Sequence, residues 1–192
     1  MNANAASDSS ALAGLADRPF ELLKALEARA RAAVVSDSGA GAESDEEWVG
    51  LGFRVGEMNL VVAREQVREL MHYPGAHPVP GAKDWLLGIA NVRGQLLPIS
   101  DMKQFLGGGE SIISRSTRVL AVDHPEMPAG LLVDEVFGFR RFHDGDSSDF
   151  DSASLPATDA WLSGGYRRGE NVWGVINLQA LVEDPAFLQA AK

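Results

Sequence analysis

The 192-residue chain contains no cysteine, which excludes disulfides, thiolate metal sites and cysteine nucleophiles and is compatible with a reducing compartment. No apolar run approaches the roughly 18 residues that cross a bilayer, and the N-terminus has no basic, apolar, small-residue succession of a secretory signal. A cytoplasmic protein without direct membrane insertion is the expectation. The motifs of chemistry are missing too: no G-x-S-x-G elbow, no H-E-x-x-H, no phosphate-binding glycine loop and no dinucleotide fingerprint. Gly107-Gly108-Gly109 lacks the Lys-Ser/Thr of a phosphate loop and reads as a helix stop. No catalytic, cofactor or metal residue is assigned.

Positive charge is also scarce. The net charge is −10, but it is unevenly placed. Residues 1–46 hold eight acids and four bases, residues 144–159 hold five Asp and no base, and the rest is nearly neutral with fourteen acids and thirteen bases. No basic stripe exists for nucleic acid, and an anionic membrane gains nothing from such a surface. The scattered histidines and aspartates leave a metal-dependent enzyme as a weak alternative. His72 and His77 lie five apart with no further ligand at a recognisable spacing. Counting from Asp144, the sixth and twelfth places of a calcium loop hold Asp149 and Leu155 instead of Gly and Glu.

What is present is β periodicity. Val49, Leu51, Phe53 and Val55 alternate with Gly50, Gly52 and Arg54; Gly56-Glu57 turns the chain, and Met58, Leu60 and Val62 continue the alternation. Val67 to Leu70 reads as a third short strand after the polar break Arg64 to Gln66. Tyr73 to Asp84, with three prolines and two glycines, is a loop by turn chemistry. Leu86 to Val92 and Gln95 to Ile99 flank Arg93-Gly94 as a β-hairpin, and Pro98 demands an edge or a bulge. Asp101 caps a short helix, Met102 to Leu106. Further strands are predicted at Arg118 to Val122, over Gly130 to Phe139 as one long element, and as a hairpin of Trp161 to Tyr166 with Val172 to Ile176. Asn177 caps a closing helix, Leu178 to Val182. The strands before the loop and the hairpin after it suggest one small barrel.

Before this body, Met1 to Ala16 reads as disordered, Phe20 to Ala33 as an amphipathic helix, and Ser36 to Glu46 as an acidic linker. The expected division is 1–46 as an N-terminal extension, 47–184 as the β domain and 185–192 as a C-terminal tail.

The stretch Gly88 to Met102 (GIANVRGQLLPISDM) resembles the central signature of the CheW-like chemotaxis adaptor family, with Asn91, Arg93, Gly94, Pro98 and Asp101 in place and Val92, Ser100 and Met102 as mild departures. Gly130 to Val136 resembles the family's second signature. The resemblance covers residues 47–184 and implies a mainly β fold of two SH3-like five-stranded β-barrel subdomains with short helices and an N-terminal helical extension. It implies a non-enzymatic adaptor whose partners are the regulatory domain of a CheA-like histidine kinase and the cytoplasmic tip of a chemoreceptor, in membrane-proximal arrays. By the same resemblance, the receptor lies in an apolar groove between the barrels and the kinase meets a barrel end. Val67, Glu69 and Leu70 match the family's receptor-groove strand, Val133 and Val136 match apolar positions of the second barrel, and Arg93, with Gly94, matches the coupling position. The N-terminal helix and the segment Pro19 to Leu23 look like the PilI-like branch of type IV pilus systems that drive twitching motility. A flagellar array, or a double-barrel binding module for another ligand, is the alternative.

Overall fold

The computed structural model describes residues 47–150 and 161–192, which belong to one compact unit, Glu46–Lys192. The expected disordered start, N-terminal helix and acidic linker, and most of the Asp-rich loop, lie outside the described residues. Eleven strands are described: β1 (Glu47–Val55), β2 (Met58–Ala63), β3 (Val67–Met71), β4 (Leu86–Val92), β5 (Gln95–Asp101), β6 (Arg118–Val122), β7 (Gly130–Val133), β8 (Glu135–His143), β9 (Ser147–Ser148), β10 (Leu162–Arg168) and β11 (Asn171–Ile176). Three short helices accompany them: α1 (Met102–Phe105), α2 (Leu178–Glu183) and α3 (Pro185–Leu188).

The strands form two sheets, one of six in the order β8-β1-β2-β11-β10-β9 and one of five in the order β3-β6-β7-β5-β4. The sixth strand of the larger sheet is the two-residue β9. Grouping by chain order is corrected here, because β1 and β2 do not share a sheet with β3 and the β4–β5 hairpin. They pair with β8 and, in parallel, with β11. The switch occurs at the 3-10 turn Arg64–Gln66. There Gln66 accepts the Leu178 N–H through Oε1 at 2.7 Å and the Asp123 N–H through its carbonyl at 2.8 Å, which turns β3 away from β2 and onto β6.

Gly130 to Phe139 is likewise two strands and not one. Asp134 interrupts it, donating its N–H to the Arg54 carbonyl at 3.0 Å and accepting the Gly56 N–H at 2.6 Å. β7 thus stays in the smaller sheet while β8 joins the larger.

Burial follows from this interleaving. Leu60 and Val62 of β2, Leu120 and Val122 of β6, and Leu131 and Val133 of β7 share a central core with Leu51, Phe53 and Val55 of β1 and Ile176, Leu178 and Leu181. The opposite faces of the same strands are buried as well. Val61 packs with Phe142 and Trp173 in the larger sheet, while Val119, Ala121 and Leu132 pack with Ala90, Leu97 and Ile99 in the smaller. A strand buried on both faces needs an unbroken apolar run, as Val119 to Val122 and Leu131 to Val133 supply. Gly50 and Gly52 fit this scheme, since a Cβ on Gly52 would lie 2.8 Å from the Trp173 ring.

Local signals held where they depend on near neighbours. Asp101 caps α1 by accepting the Gln104 N–H at 3.2 Å, and its buried carboxylate also takes the Ser111 N–H and Oγ–H at 2.7 Å each. Asn177 caps α2 through the Ala180 N–H. Pro98 sits where β5 has only β4 as a partner, because pairing with β7 begins at Ile99. Residues 185–192 are tied to the body: Phe187 stacks on Trp85 at 5.2 Å and meets Phe105 edge-on, and the Lys83 N–H donates to the Ala190 carbonyl at 2.7 Å.

Candidate partner-binding surface

The β4–β5 hairpin turns in two residues, Arg93 and Gly94, with Val92 opposite Gln95. Both central residues have positive φ, 50° and 83°, as a type I′ turn requires. Asn91 completes it by accepting the Gly94 N–H at 2.9 Å. Gly94 adopts this conformation freely, whereas Arg93 holds it at a steric cost. The turn swings the Arg93 side chain across to β3, where its guanidinium meets the Glu69 carboxylate at 2.7 Å. Arg93 is 80% exposed and Glu69 half-buried. Two residues 24 positions apart are thereby joined at one surface.

β3 is an outer strand of the smaller sheet, and its residues line two clefts. One, of about 300 Å³, lies toward β8 and is floored by Leu51, Val67, Leu70, Gly138 and Phe139, with Arg64 and Arg68 at its rim. Leu70 and Phe139 are among the exposed large apolar side chains, at 43% and 55%. The other cleft is framed by Glu69, Arg93, Leu96, His124 and Pro125. His124 is held there, its Nδ1 accepting the Met127 N–H at 2.9 Å and its Nε2 3.0 Å from Glu183.

Of the site residues expected from the sequence, Glu69, Leu70, Arg93 and Gly94 are assembled at this surface, and half-buried Val67 contributes from below while packing on the central core. Val133 is only 1% exposed in that core, so no partner can touch its side chain without unpacking the domain. Val136 is half-buried against the same core, opposite Phe53 in the β1–β8 ladder. A contact role for Val133 therefore gives way to one in packing on β7, whereas Val136, on β8, keeps part of its side chain at the surface. The cleft also takes in Phe139, Arg64 and Arg68, which no sequence motif marks. Alternation hides Phe139, because a register shift at Gly52/Phe53 leaves Phe137 as an extra residue in β8 and changes which side chains face outward. Elsewhere, His77 is engaged through its backbone in a bridge to Ile89, and among the described residues no group of three His, Asp or Glu is placed to hold a metal. No described helix is long and apolar enough to cross a membrane.

Residues 49–186 match the model of the CheW-like domain family. The chain is 38% identical over 177 residues to Protein PilI of Pseudomonas aeruginosa, covering 90% of this chain and 96% of that one. It is 35% identical over 89 residues to Protein FrzA of Myxococcus xanthus, covering 46% of this chain and 56% of that one. Among solved structures, the scaffolding protein TtCheW of Thermoanaerobacter tengcongensis superposes with a TM-score of 0.61 at 22% identity, over 72% of this chain and 94% of that one, a likeness of fold. With its folded body matched almost end to end, the chain belongs to the CheW-like domain family of chemotaxis adaptors, in its PilI-like branch.

Proposed function

We propose that the protein is a non-enzymatic coupling adaptor that joins the cytoplasmic tip of a chemoreceptor to the regulatory domain of a CheA-like histidine kinase in a system controlling type IV pilus twitching motility. The observation that carries this reading is the Arg93–Glu69 pair, set on an outer strand beside an apolar cleft between the two sheets. An arginine kept in a costly backbone conformation at an exposed turn is better explained by contact than by packing. The cleft offers a receptor helix an apolar floor, and the charged pair sets the register of whatever lies against it. The 38% identity to PilI supports the pilus assignment.

The test is reconstitution from purified parts. The full chain is mixed with the soluble signalling fragment of the pilus-system chemoreceptor and the CheA-like kinase, and ternary complex and kinase autophosphorylation are measured. Wild type is expected to form the complex and Arg93→Ala to lose most of it with little change in melting temperature. A wild-type chain that binds neither component overturns the reading.

A further inference from the structure

We infer that the cleft between β3 and β8 selects its occupant by charge as well as by apolar fit: it takes an amphipathic helix whose apolar stripe is flanked by carboxylates, and Arg64 and Arg68 are the residues that recognise that flank. The inference rests on the coupling reading, since it gives the chemistry of the receptor segment at the same surface.

The charge balance of the cleft carries the argument. The acid lining it, Glu69, is already engaged by Arg93 at 2.7 Å. Arg64 and Arg68 both line the cleft and both are exposed, yet among the described residues neither has an ion-pair partner. Glu65, in the same turn as Arg64, does not line it. Two uncompensated guanidinium groups therefore stand over a floor of Leu51, Val67, Leu70 and Phe139. An apolar floor with a cationic rim complements an apolar stripe with an anionic edge.

The backbone decides in favour of a helix over an added strand. β3 and β8 are both outermost strands, so each has a free edge. Strand addition favours a regular edge, and both strands carry a bulge at or next to the cleft. Val67 pairs with Val122 and Glu69 with Ala121, which leaves Arg68 as the extra residue of a bulge. Phe137 is the corresponding extra residue of β8. Bulges re-aim side chains and end pairing. The one in β3 thus turns a residue of the edge into a reader of side-chain charge.

The experiment titrates the full-length chain with the soluble cytoplasmic fragment of the pilus-system receptor, at low and at high salt, and in parallel with the kinase regulatory domain. The Arg64→Glu/Arg68→Glu double variant is expected to bind the receptor fragment about tenfold more weakly at low salt, with the difference shrinking at high salt, because exposed charges are screened. Its kinase affinity and melting temperature are expected to be unchanged, and Arg64→Lys/Arg68→Lys to bind within about twofold of wild type. Receptor affinity unmoved by charge reversal overturns the inference while leaving the coupling reading standing. So does an equal loss in the lysine variant, which makes shape the determinant, or a parallel loss of kinase binding and thermal stability. Binding of anionic phospholipid vesicles that the double variant loses, with receptor affinity intact, overturns it in favour of a lipid ligand. Wild-type chain that binds the kinase domain but not the receptor fragment overturns the coupling reading and the inference together.

Discussion

In the proposed adaptor, Arg93 serves stability and contact in opposite senses. Its φ of 50° belongs to a conformation that asparagine tolerates better than arginine, and an exposed ion pair such as Arg93–Glu69 returns only about 0–1 kcal/mol. Arg93→Asn is therefore expected to leave stability equal or raise it by about 0.5 kcal/mol while weakening assembly with the receptor fragment, because Asn-Gly is a favoured type I′ pair but cannot reach Glu69. Denaturant unfolding and a binding titration on the same sample check both halves; assembly at wild-type strength would remove Arg93 from the contact surface. Glu69→Lys places two cations where a pair now stands and is expected to reduce receptor association with little loss of stability. The buried valine behaves oppositely: Val133→Ala is expected to cost about 2 kcal/mol of stability, read by denaturant unfolding, and to leave the affinity of the folded fraction alone.

At the scale of elements, the loop before β4 is fastened by a close approach. His77 exchanges backbone hydrogen bonds of 2.9 Å with Ile89 in both directions, next to Gly88, whose φ is 138°. A Cβ at Gly88 would lie 2.1 Å from the His77 carbonyl oxygen, and the nearest atoms are all backbone, of His77 and Pro78, so no flexible side chain can give way. Gly88→Ala is expected to destabilise by at least about 2 kcal/mol and to raise hydrogen exchange at the His77 and Ile89 amides ahead of the rest of β4. Retained protection at those amides would show that the loop can shift as a whole. The β4–β5 hairpin carries Arg93, so loosening its base is expected to lower receptor affinity as well.

For the whole molecule, the decisive feature is that two sheets share a central core while each keeps a smaller core of its own. The C-terminal eight residues belong to this arrangement through Phe187, which is packed between Trp85 and Phe105 beside the central core. Removing Pro185 to Lys192 is expected to cost about 3 kcal/mol, the scale of losing a buried aromatic side chain, and a melting temperature within a degree of wild type would refute it. A chain starting at Glu47 is expected to fold on its own, checked by a cooperative thermal transition, since the described cores close within residues 47–192.

The sequence by itself determined whatever is decided within a few residues: the alternation of β1 and β2, the Gly56-Glu57 and Arg93-Gly94 turns, the caps at Asp101 and Asn177, and the signature around Arg93 that gives the family. Each is a contest among neighbouring backbone groups, and the residue types at the spot settle it. Tertiary structure decided the rest. Nothing local in Arg64 to Gln66 says that β3 leaves its predecessors, because the switch is held by Leu178 and Asp123, 112 and 57 residues from Gln66. Nothing in the apolar run Gly130 to Val136 says that Asp134 breaks it, because its partners lie in the β1–β2 turn region. For the same reason Val133, apolar and in a recognised motif, is enclosed between two sheets while Phe139, six residues on, faces solvent. Hydrophobic pattern identifies which side chains want burial, but a strand with two buried faces leaves open which neighbour covers each, and only the pairing of distant strands resolves it.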